Sequence, residues 1–223
     1  GKVQMTHDGG ASWKDLTQKI AASGGPENLW VSRVLSSSHE AGTAYVTKSG
    51  FRQDNFKPFI FKTTDFGETW TSISSNLPEK PVNVIFEDRK NPNLLFVGND
   101  QGVYVSIDSG KKWLSLKNNM PWVKVSDLLV HPRENDLVVA TCGRGLFVTD
   151  ITALQEMSEK MLDDDVYLFE VEPKVQRVTS GWGNYQLWGD RHLRTQNEPN
   201  GVVINYYLKE KAKDKVKITI TDP

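Results

Sequence analysis

The stretch TTDFGETW, residues 63–70, decides how this chain folds, because its pattern S/T-x-D-x-G-x-x-W occurs two more times. The other copies are THDGGASW (residues 6–13) and SIDSGKKW (residues 106–113). The Asp of the pattern is expected to accept hydrogen bonds from backbone N–H groups of its own tight turn. The Gly allows the positive φ that such a turn needs, and the Trp begins the next strand and packs against a neighbouring strand edge.

These three segments, called box corners below, are interpreted as structural elements. A single catalytic or metal-binding site would not need three copies of one constellation, each with its own Gly and Trp. The residues to which this structural role is assigned are Asp8, Gly10, Trp13, Asp65, Gly67, Trp70, Asp108, Gly110 and Trp113. We therefore predict no catalytic residue and no metal ligand among them.

A constant offset of 43 residues separates Asp65 from Asp108 and Trp70 from Trp113. The same offset aligns NLLFVGNDQGVYVSID with DLVVATCGRGLFVTDI without a gap. A period near 43 residues is typical of four-stranded propeller blades. The most regular copy predicts strands at 82–87, 94–98, 103–106 and 113–117.

The two flanking copies depart from this unit in ways that the sequence makes visible. The earlier copy predicts strands at 31–36, 43–47, 59–63 and 70–74, with a polar insertion loop at 48–58. The last copy predicts strands at 125–130, 137–141 and 146–149, and then a helix at 152–162 in place of a box corner. Thr152 and Gln155 fit a capping box at the start of that helix. A strand at 166–171 follows.

The predicted fold class is all-β: a partial β-propeller of about three to four four-stranded blades, followed by the start of a second β domain. The predicted domains are the C-terminal blades of a propeller (1–172), an aromatic linker (173–199) and the first strands of a truncated β-sandwich (200–223). Trp182, Tyr185 and Trp188 in the linker are expected to pack the two domains together or to form a sugar-stacking platform. Closed propellers have about four to eight blades, so missing blades are expected upstream or on a companion chain.

Composition excludes several classes of function. Lys+Arg 27 against Asp+Glu 28 gives a net charge of −1, which does not favour nucleic acid or an acidic membrane surface as partner. The apolar runs have strand length, so no membrane-spanning helix is predicted. Cys142 follows an apolar run and is expected to be buried and inert. The histidines show no zinc spacing, and no cofactor is predicted.

The loops opposite the box corners are the predicted ligand face, because propeller loops from several blades converge there near the central channel. The ligand-face candidates are Arg52, Asp54, Phe56, Asp100, Gln101, Trp122 and Arg144. Arg144 lies between two glycines, where its guanidinium could hold a carboxylate bidentately or tie neighbouring blades through backbone carbonyls.

The three box corners, together with HPRENDLVVATCGRGLFVTDITAL (residues 131–154), resemble bacterial Asp-box (BNR) repeat proteins with sortilin-type propellers, many of which are called glycosyl hydrolases. The stretch NEPNGVVINYYLK resembles the junction where those proteins pass from propeller to β-sandwich. The resemblance implies an extracytoplasmic setting: secreted, periplasmic or on the cell surface.

Three functions are open at this point. The first hypothesis is a non-catalytic propeller that binds protein or acts as a scaffold within a larger protein or complex. The alternative is a glycoside hydrolase, similar to xyloglucanases or sialidases, acting on a polysaccharide. Such an enzyme needs two carboxylates across a cleft, and only Asp54 and Asp100 qualify at the ligand face. The third is a peptide receptor that binds extended segments.

Overall fold

The computed structural model describes residues 1–175 and 201–221. The chain divides into two compact units, Gly1–Lys160 and Met161–Pro223. Within the described residues almost all regular structure is β, in small antiparallel sheets whose strands follow chain order. The helical segments there are no longer than six residues.

The first unit begins with a half blade and continues with two complete blades. The half blade is the hairpin of β1 (Gln4–Met5) and β2 (Lys14–Asp15), followed by α1 (Thr17–Ala22). The first four-stranded sheet contains β3 (Trp30–Ser36), β4 (Ala44–Gly50), β5 (Asn55–Thr63) and β6 (Thr71–Ser72). The second four-stranded sheet contains β7 (Val82–Glu87), β8 (Leu95–Asn99), β9 (Gly102–Ser106) and β10 (Leu114–Ser115).

The third sheet has three strands among the described residues: β11 (Val125–Val130), β12 (Asp136–Thr141) and β13 (Leu146–Asp150), followed by α2 (Thr152–Glu156). The predicted strands of all three copies are therefore present, although β6 and β10 are only two residues long. Every residue of β8 and β9 is buried, as expected for strands covered on both faces by neighbouring sheets. The all-β fold class and the blade-like repeat are confirmed.

The insertion at 48–58 is not the polar loop that the sequence predicts. Strands β4 and β5 extend through it, and Lys48 pairs with Phe59 and Gly50 with Asn55 across the ladder. A 3-10 turn (Phe51–Gln53) closes the hairpin, and Asp54 at φ 53° reverses the chain. The reason is that antiparallel pairing satisfies backbone N–H and C=O groups that a loop would leave to water.

The helix predicted at 152–162 is also wrong in length and in its cap. Helix α2 ends at Glu156, and a separate 3-10 turn covers Met161–Asp163. The predicted capping box is absent: the Asp150 carboxylate accepts the Thr152 N–H at 2.7 Å, and the Gln155 side-chain amide donates a 2.8 Å hydrogen bond to the Asp88 carboxylate. A tertiary contact to the turn between β7 and β8 has thus replaced the local capping box.

The second unit contains one short sheet within its described residues. Strand β14 (Val166–Leu168) pairs antiparallel with β15 (Tyr206–Leu208). β14 is shorter than the strand predicted at 166–171, and within the predicted sandwich segment β15 is the strand that the described residues contain. Trp182, Tyr185 and Trp188 lie outside the described residues. The three domain boundaries stay a prediction.

The core of the first unit lies between successive sheets. One cluster joins the half blade to the first sheet, through Val3, Leu16, Ile20, Val46, Phe61 and Trp70. A second joins the first sheet to the second, through Tyr45, Ile60, Ile85, Val97 and Trp113. A third joins the second sheet to the third, through Phe96, Val103, Val105, Val125, Leu128 and Val139. Each sheet thus buries both faces only when it has a neighbour on each side.

The outer face of the third sheet has no such cover among the described residues. Leu146 and Val148 of β13 are 69% and 60% exposed. The offset of 43 residues makes them equivalent to Val103 and Val105 of β9, which are 2% and 5% exposed because the third sheet covers them. Two positions of the repeat are therefore buried in one copy and exposed in the next.

This asymmetry predicts that the same substitution lowers stability much more at the buried position than at its exposed equivalent. Val103→Asp buries a charge without a partner and should lower the free energy of unfolding by ~3–5 kcal/mol. Leu146→Asp changes an exposed position and should alter it by about 0.5 kcal/mol or less. Urea unfolding followed by tryptophan fluorescence measures both. Equal losses in the two variants would mean that β13 is covered.

Candidate functional site

The box corner at 63–70 is a closed set of hydrogen bonds around Asp65. The Asp65 carboxylate accepts from the Thr63 hydroxyl at 2.8 Å, the Thr69 backbone N–H at 2.9 Å and the Thr69 hydroxyl at 2.5 Å. The Thr63 hydroxyl oxygen in turn accepts the Gly67 N–H at 2.9 Å. The corner therefore satisfies the Gly67 and Thr69 backbone N–H groups with its own side chains.

The other two corners repeat this arrangement. Asp8 accepts from the Thr6 hydroxyl and the Ser12 N–H, each at 2.8 Å. Asp108 accepts from the Ser106 hydroxyl at 2.7 Å and the Lys112 N–H at 3.0 Å. The carboxylates are thus engaged in the same turn geometry in all three copies.

The corner tryptophans differ in their indole partners. The indole N–H groups of Trp13 and Trp70 donate to the carbonyls of Gly10 and Gly67 at 3.1 and 3.2 Å, within their own corners. The indole of Trp113 instead donates to the Ile73 carbonyl of the first sheet at 2.7 Å. The third corner therefore ties two sheets together directly.

The corner glycines are needed for space as well as for positive φ. A Cβ on Gly67 would lie 2.5 Å from the Leu16 side chain, and one on Gly110 would lie 2.8 Å from the Ile73 side chain. Both neighbours belong to the preceding blade or to its following connection. At Gly10, with φ +100°, the nearest contact would be 3.8 Å away, so only the backbone conformation requires glycine there.

Hydrogen bonding controls the charge of two corner carboxylates. Hydrogen bonds from the Thr69 side chain and backbone, and from the Thr63 hydroxyl, lower the pKa of Asp65 to about 2. Those from the Ser12 side chain and backbone and from Thr6 lower the pKa of Asp8 well below its usual value. A carboxylate that stays charged at neutral pH is a good hydrogen-bond acceptor for a turn and a poor general acid.

The predicted ligand-face residues fall into two groups: one lies around Lys124, and the other, with Asp54, lies in a separate pocket. Around the tip of the β4–β5 hairpin, the Arg52 guanidinium lies 5.9 Å from the centre of the Trp30 ring. Phe56 makes an edge-to-face contact with Phe51, with ring centroids 6.3 Å apart. Lys124, just before β11 of the third sheet, places its ammonium 5.3 Å from the Phe51 ring. The hairpin of the first sheet therefore reaches the loops of the third.

Asp100 joins the same group. Its carboxylate accepts from the Asn83 side-chain amide at 2.9 Å and lies 3.3 Å from the Lys124 ammonium. Trp122 is 58% exposed, and the Lys117 ammonium lies 4.3 Å from its ring. Gln101 follows Asp100 in the tight turn, where its backbone N–H donates to the Asn99 side chain at 2.8 Å.

Arg144 is exposed in the loop between β12 and β13, flanked by Gly143 and Gly145, both at positive φ. Cys142 in this loop is exposed, so the prediction of a buried thiol is wrong. The reason is that strand β12 ends at Thr141 and the chain turns outward. The Cys142 backbone N–H donates to the Lys124 carbonyl at 2.9 Å, which brings this loop beside Lys124.

Asp54 has different surroundings from Asp100. It lines an open pocket of about 520 Å³ between the hairpin, the loop after α1 and the connection to β7; the other lining residues are Gly24, Pro26, Asn55, Phe56, Lys57, Phe59 and Glu79. Sequence reasoning missed Trp30, Phe51, Lys117 and Lys124, although Phe51 lies in the insertion and Lys117 and Lys124 bracket the loop that carries Trp122. Only the contacts reveal their pairing.

The chain matches the Sortilin-Vps10 family model, described as sortilin, neurotensin receptor 3, over residues 58–166. This stretch runs from the first sheet through the third, so the resemblance to sortilin-type propellers is confirmed for the repeat. The structure is a partial β-propeller. No curated protein matches the chain.

Among solved structures, the chain is similar to the GH74 xyloglucanase from Xanthomonas campestris, with 20% identity, coverage of 65% of this chain and 23% of that one, and a TM-score of 0.48. The GH74 enzyme of Niastella koreensis is 15% identical, with coverage of 62% of this chain and 24% of that one and a TM-score of 0.48. YCF48 from Cyanidioschyzon merolae is 18% identical, with coverage of 67% of this chain and 46% of that one and a TM-score of 0.44. The chain spans less than half the length of each of these structures.

The described residues contain neither a membrane-spanning helix nor a metal-binding cluster. None of their helices is long and apolar enough to cross a membrane. Within the same residues, no three His, Cys, Asp or Glu side chains are grouped so that they could hold a metal ion.

Removing a corner carboxylate should destabilise the fold. Asp108→Ala deletes the acceptor for Ser106 and Lys112 and should lower the free energy of unfolding by ~1–2 kcal/mol, as loss of a helix cap does. Asp108→Asn keeps an amide oxygen and should lose less. Urea unfolding compares the three proteins, and an unchanged midpoint for Asp108→Ala would contradict the structural role.

The lowered pKa of Asp65 predicts a pH window. The folded pKa, about 2, lies below the ordinary value of 3.8, so the contribution of Asp65 is present above pH 4 and is lost as the pH falls towards 2. The difference in urea midpoint between the wild type and Asp65→Asn should be constant from pH 7 to 5 and shrink between pH 4 and 2. A difference that persists unchanged at pH 2 would disprove this assignment.

Proposed function

We propose that this chain is a non-catalytic, extracytoplasmic β-propeller module that binds protein or acts as a scaffold within a larger protein or complex. The observation that carries the proposal is the uncovered apolar face of β13 beside its covered equivalent in β9. A soluble protein rarely leaves such a face in water unless another protein surface covers it. The extracytoplasmic setting rests on the resemblance to sortilin-type propellers.

The first partner is a further blade, supplied upstream in a longer polypeptide or by a companion chain. In the second sheet, β10 pairs with the outer edge of β9, and the Leu116 N–H donates to the Val103 carbonyl at 2.9 Å. The equivalent edge of β13 has no ladder partner within the described residues. An added strand and an added sheet would satisfy this edge and bury Leu146 and Val148.

The surroundings of the two candidate carboxylates favour binding over hydrolysis. Asp100 is held by the Asn83 amide and the Lys124 ammonium. Asp54 belongs to a separate open pocket with Lys57 and Glu79. A glycosidase pair must face one another across one cleft, with the carboxyl groups about 5–10 Å apart. Exposed aromatic rings paired with cations dominate the remaining loops of this face.

The uncovered face predicts self-association of the isolated chain, since a second copy can substitute for the absent cover. Analytical ultracentrifugation at increasing concentration should show oligomers for the wild type. The double variant Leu146→Asp/Val148→Asp should be monomeric, and Lys90→Gln/Lys112→Gln, which changes the net charge by the same −2 at exposed positions away from β13, serves as matched control. Incubation with xyloglucan and with a sialylated oligosaccharide should release no sugar.

Two results would overturn the proposal. A wild-type chain that stays a folded monomer at all concentrations, with slow amide exchange along β13, would show that the face needs no partner. Release of sugar that is lost in Asp54→Asn or Asp100→Asn would instead establish the alternative, a glycoside hydrolase.

A further inference from the structure

We propose that the ligand face binds an acidic segment of a partner protein through an aromatic–cationic rim. The rim is defined as three pairs: Arg52 with Trp30, Lys124 with Phe51, and Lys117 with Trp122. This proposal rests on the protein-binding function above and specifies the chemistry of the bound segment.

The rim is a single surface built from three sheets. Phe51 and Arg52 form the tip of the first-sheet hairpin, and Lys124 leads into the third sheet. Lys124 contacts Asp100 of the second-sheet loop at 3.3 Å, and its carbonyl accepts the Cys142 N–H of the loop that carries Arg144. A ligand lying on Lys124 would therefore touch loops from all three sheets at once.

The charge of this surface is opposite in sign to that of the whole chain. The chain has a net charge of −1, yet the ligand face carries the cations Arg52, Lys117, Lys124 and Arg144 against two carboxylates, Asp54 and Asp100. Of these, Lys124 is paired with Asp100, while Arg52, Lys117 and Arg144 have no carboxylate partner in the described part of the chain. Unpaired cations on one face attract a ligand that carries several negative charges.

The aromatic rings narrow the class of ligand. Trp30 and Trp122 are 66% and 58% exposed, and each leaves apolar ring surface beside its cation. An extended peptide presents side chains alternately, so carboxylates can meet the cations while apolar side chains pack on the rings. Single-stranded nucleic acid also stacks on aromatic rings between cations, but such domains usually carry a basic net charge, and this chain has a pI near 6.5.

The test uses three fluorescein-labelled peptides in which every second residue is Glu, Gln or Lys and the remainder are Leu and Phe. Fluorescence anisotropy with the whole chain should show binding of the Glu peptide, at least tenfold weaker binding of the Gln peptide and none of the Lys peptide. Binding of the Glu peptide should weaken as salt rises from 0.05 to about 0.5 M, because the rim is exposed to solvent.

Charge reversal makes the assignment specific. Arg52→Glu/Lys117→Glu should weaken the Glu peptide about tenfold or more and bring measurable binding of the Lys peptide. The matched control Lys90→Glu/Lys112→Glu changes net charge equally at distant exposed loops and should leave the affinity unchanged. Circular dichroism of both variants checks that the fold is intact, and Trp122→Ala tests the aromatic contribution without altering charge.

Several outcomes would overturn the proposal. They are equal binding of the Glu and Gln peptides, equal loss in the control variant, or displacement of the Glu peptide by polygalacturonate or oligo-dT at lower concentration than by unlabelled peptide. Absence of all peptide binding would reject the rim as a peptide site. It would leave the scaffold function standing if the self-association of the chain still depended on Leu146 and Val148.

Discussion

The packing of each β-sheet against the next is the interaction on which the rest of this structure depends. Isolated four-stranded sheets of this size have two apolar faces and cannot bury either one alone. The corner glycines Gly67 and Gly110 allow this packing, since a side chain there would collide with Leu16 or Ile73 of the preceding element. The carboxylates of Asp65 and Asp108 hold the turns in the shape that presents those glycines.

A repeat that packs in this way separates architecture from function by position. The box corners lie where the last strands of a blade meet its neighbour. Their polar groups are hydrogen-bonded within the turn or to the adjacent sheet. The loops at the other end of the strands are exposed and are not packed between two sheets. Their side chains, such as Arg52, Trp122 and Arg144, are free to differ between copies, as expected where function is carried by loops on a rigid scaffold.

The packing of sheet on sheet also explains the contrast between β9 and β13. Both strands descend from one sequence pattern, so Val103 and Leu146 are apolar for the same reason. What differs is the cover: the third sheet buries Val103, whereas no sheet among the described residues covers Leu146. The apolar character of β13 is thus explained by the repeat, and its exposure is the packing observation on which the proposed scaffold role rests.

The sequence by itself determined the repeat, the strands of three blades and the chemistry of the corners, because these depend on local periodicity and on hydrogen bonds that span a few residues. It did not determine the β4–β5 hairpin, the short α2 with Gln155 bound to Asp88, or the exposure of Cys142. It named Arg52 and Trp122 but not their partners Trp30 and Lys117. Only the tertiary structure decided these, because each depends on contacts between segments that no local pattern relates.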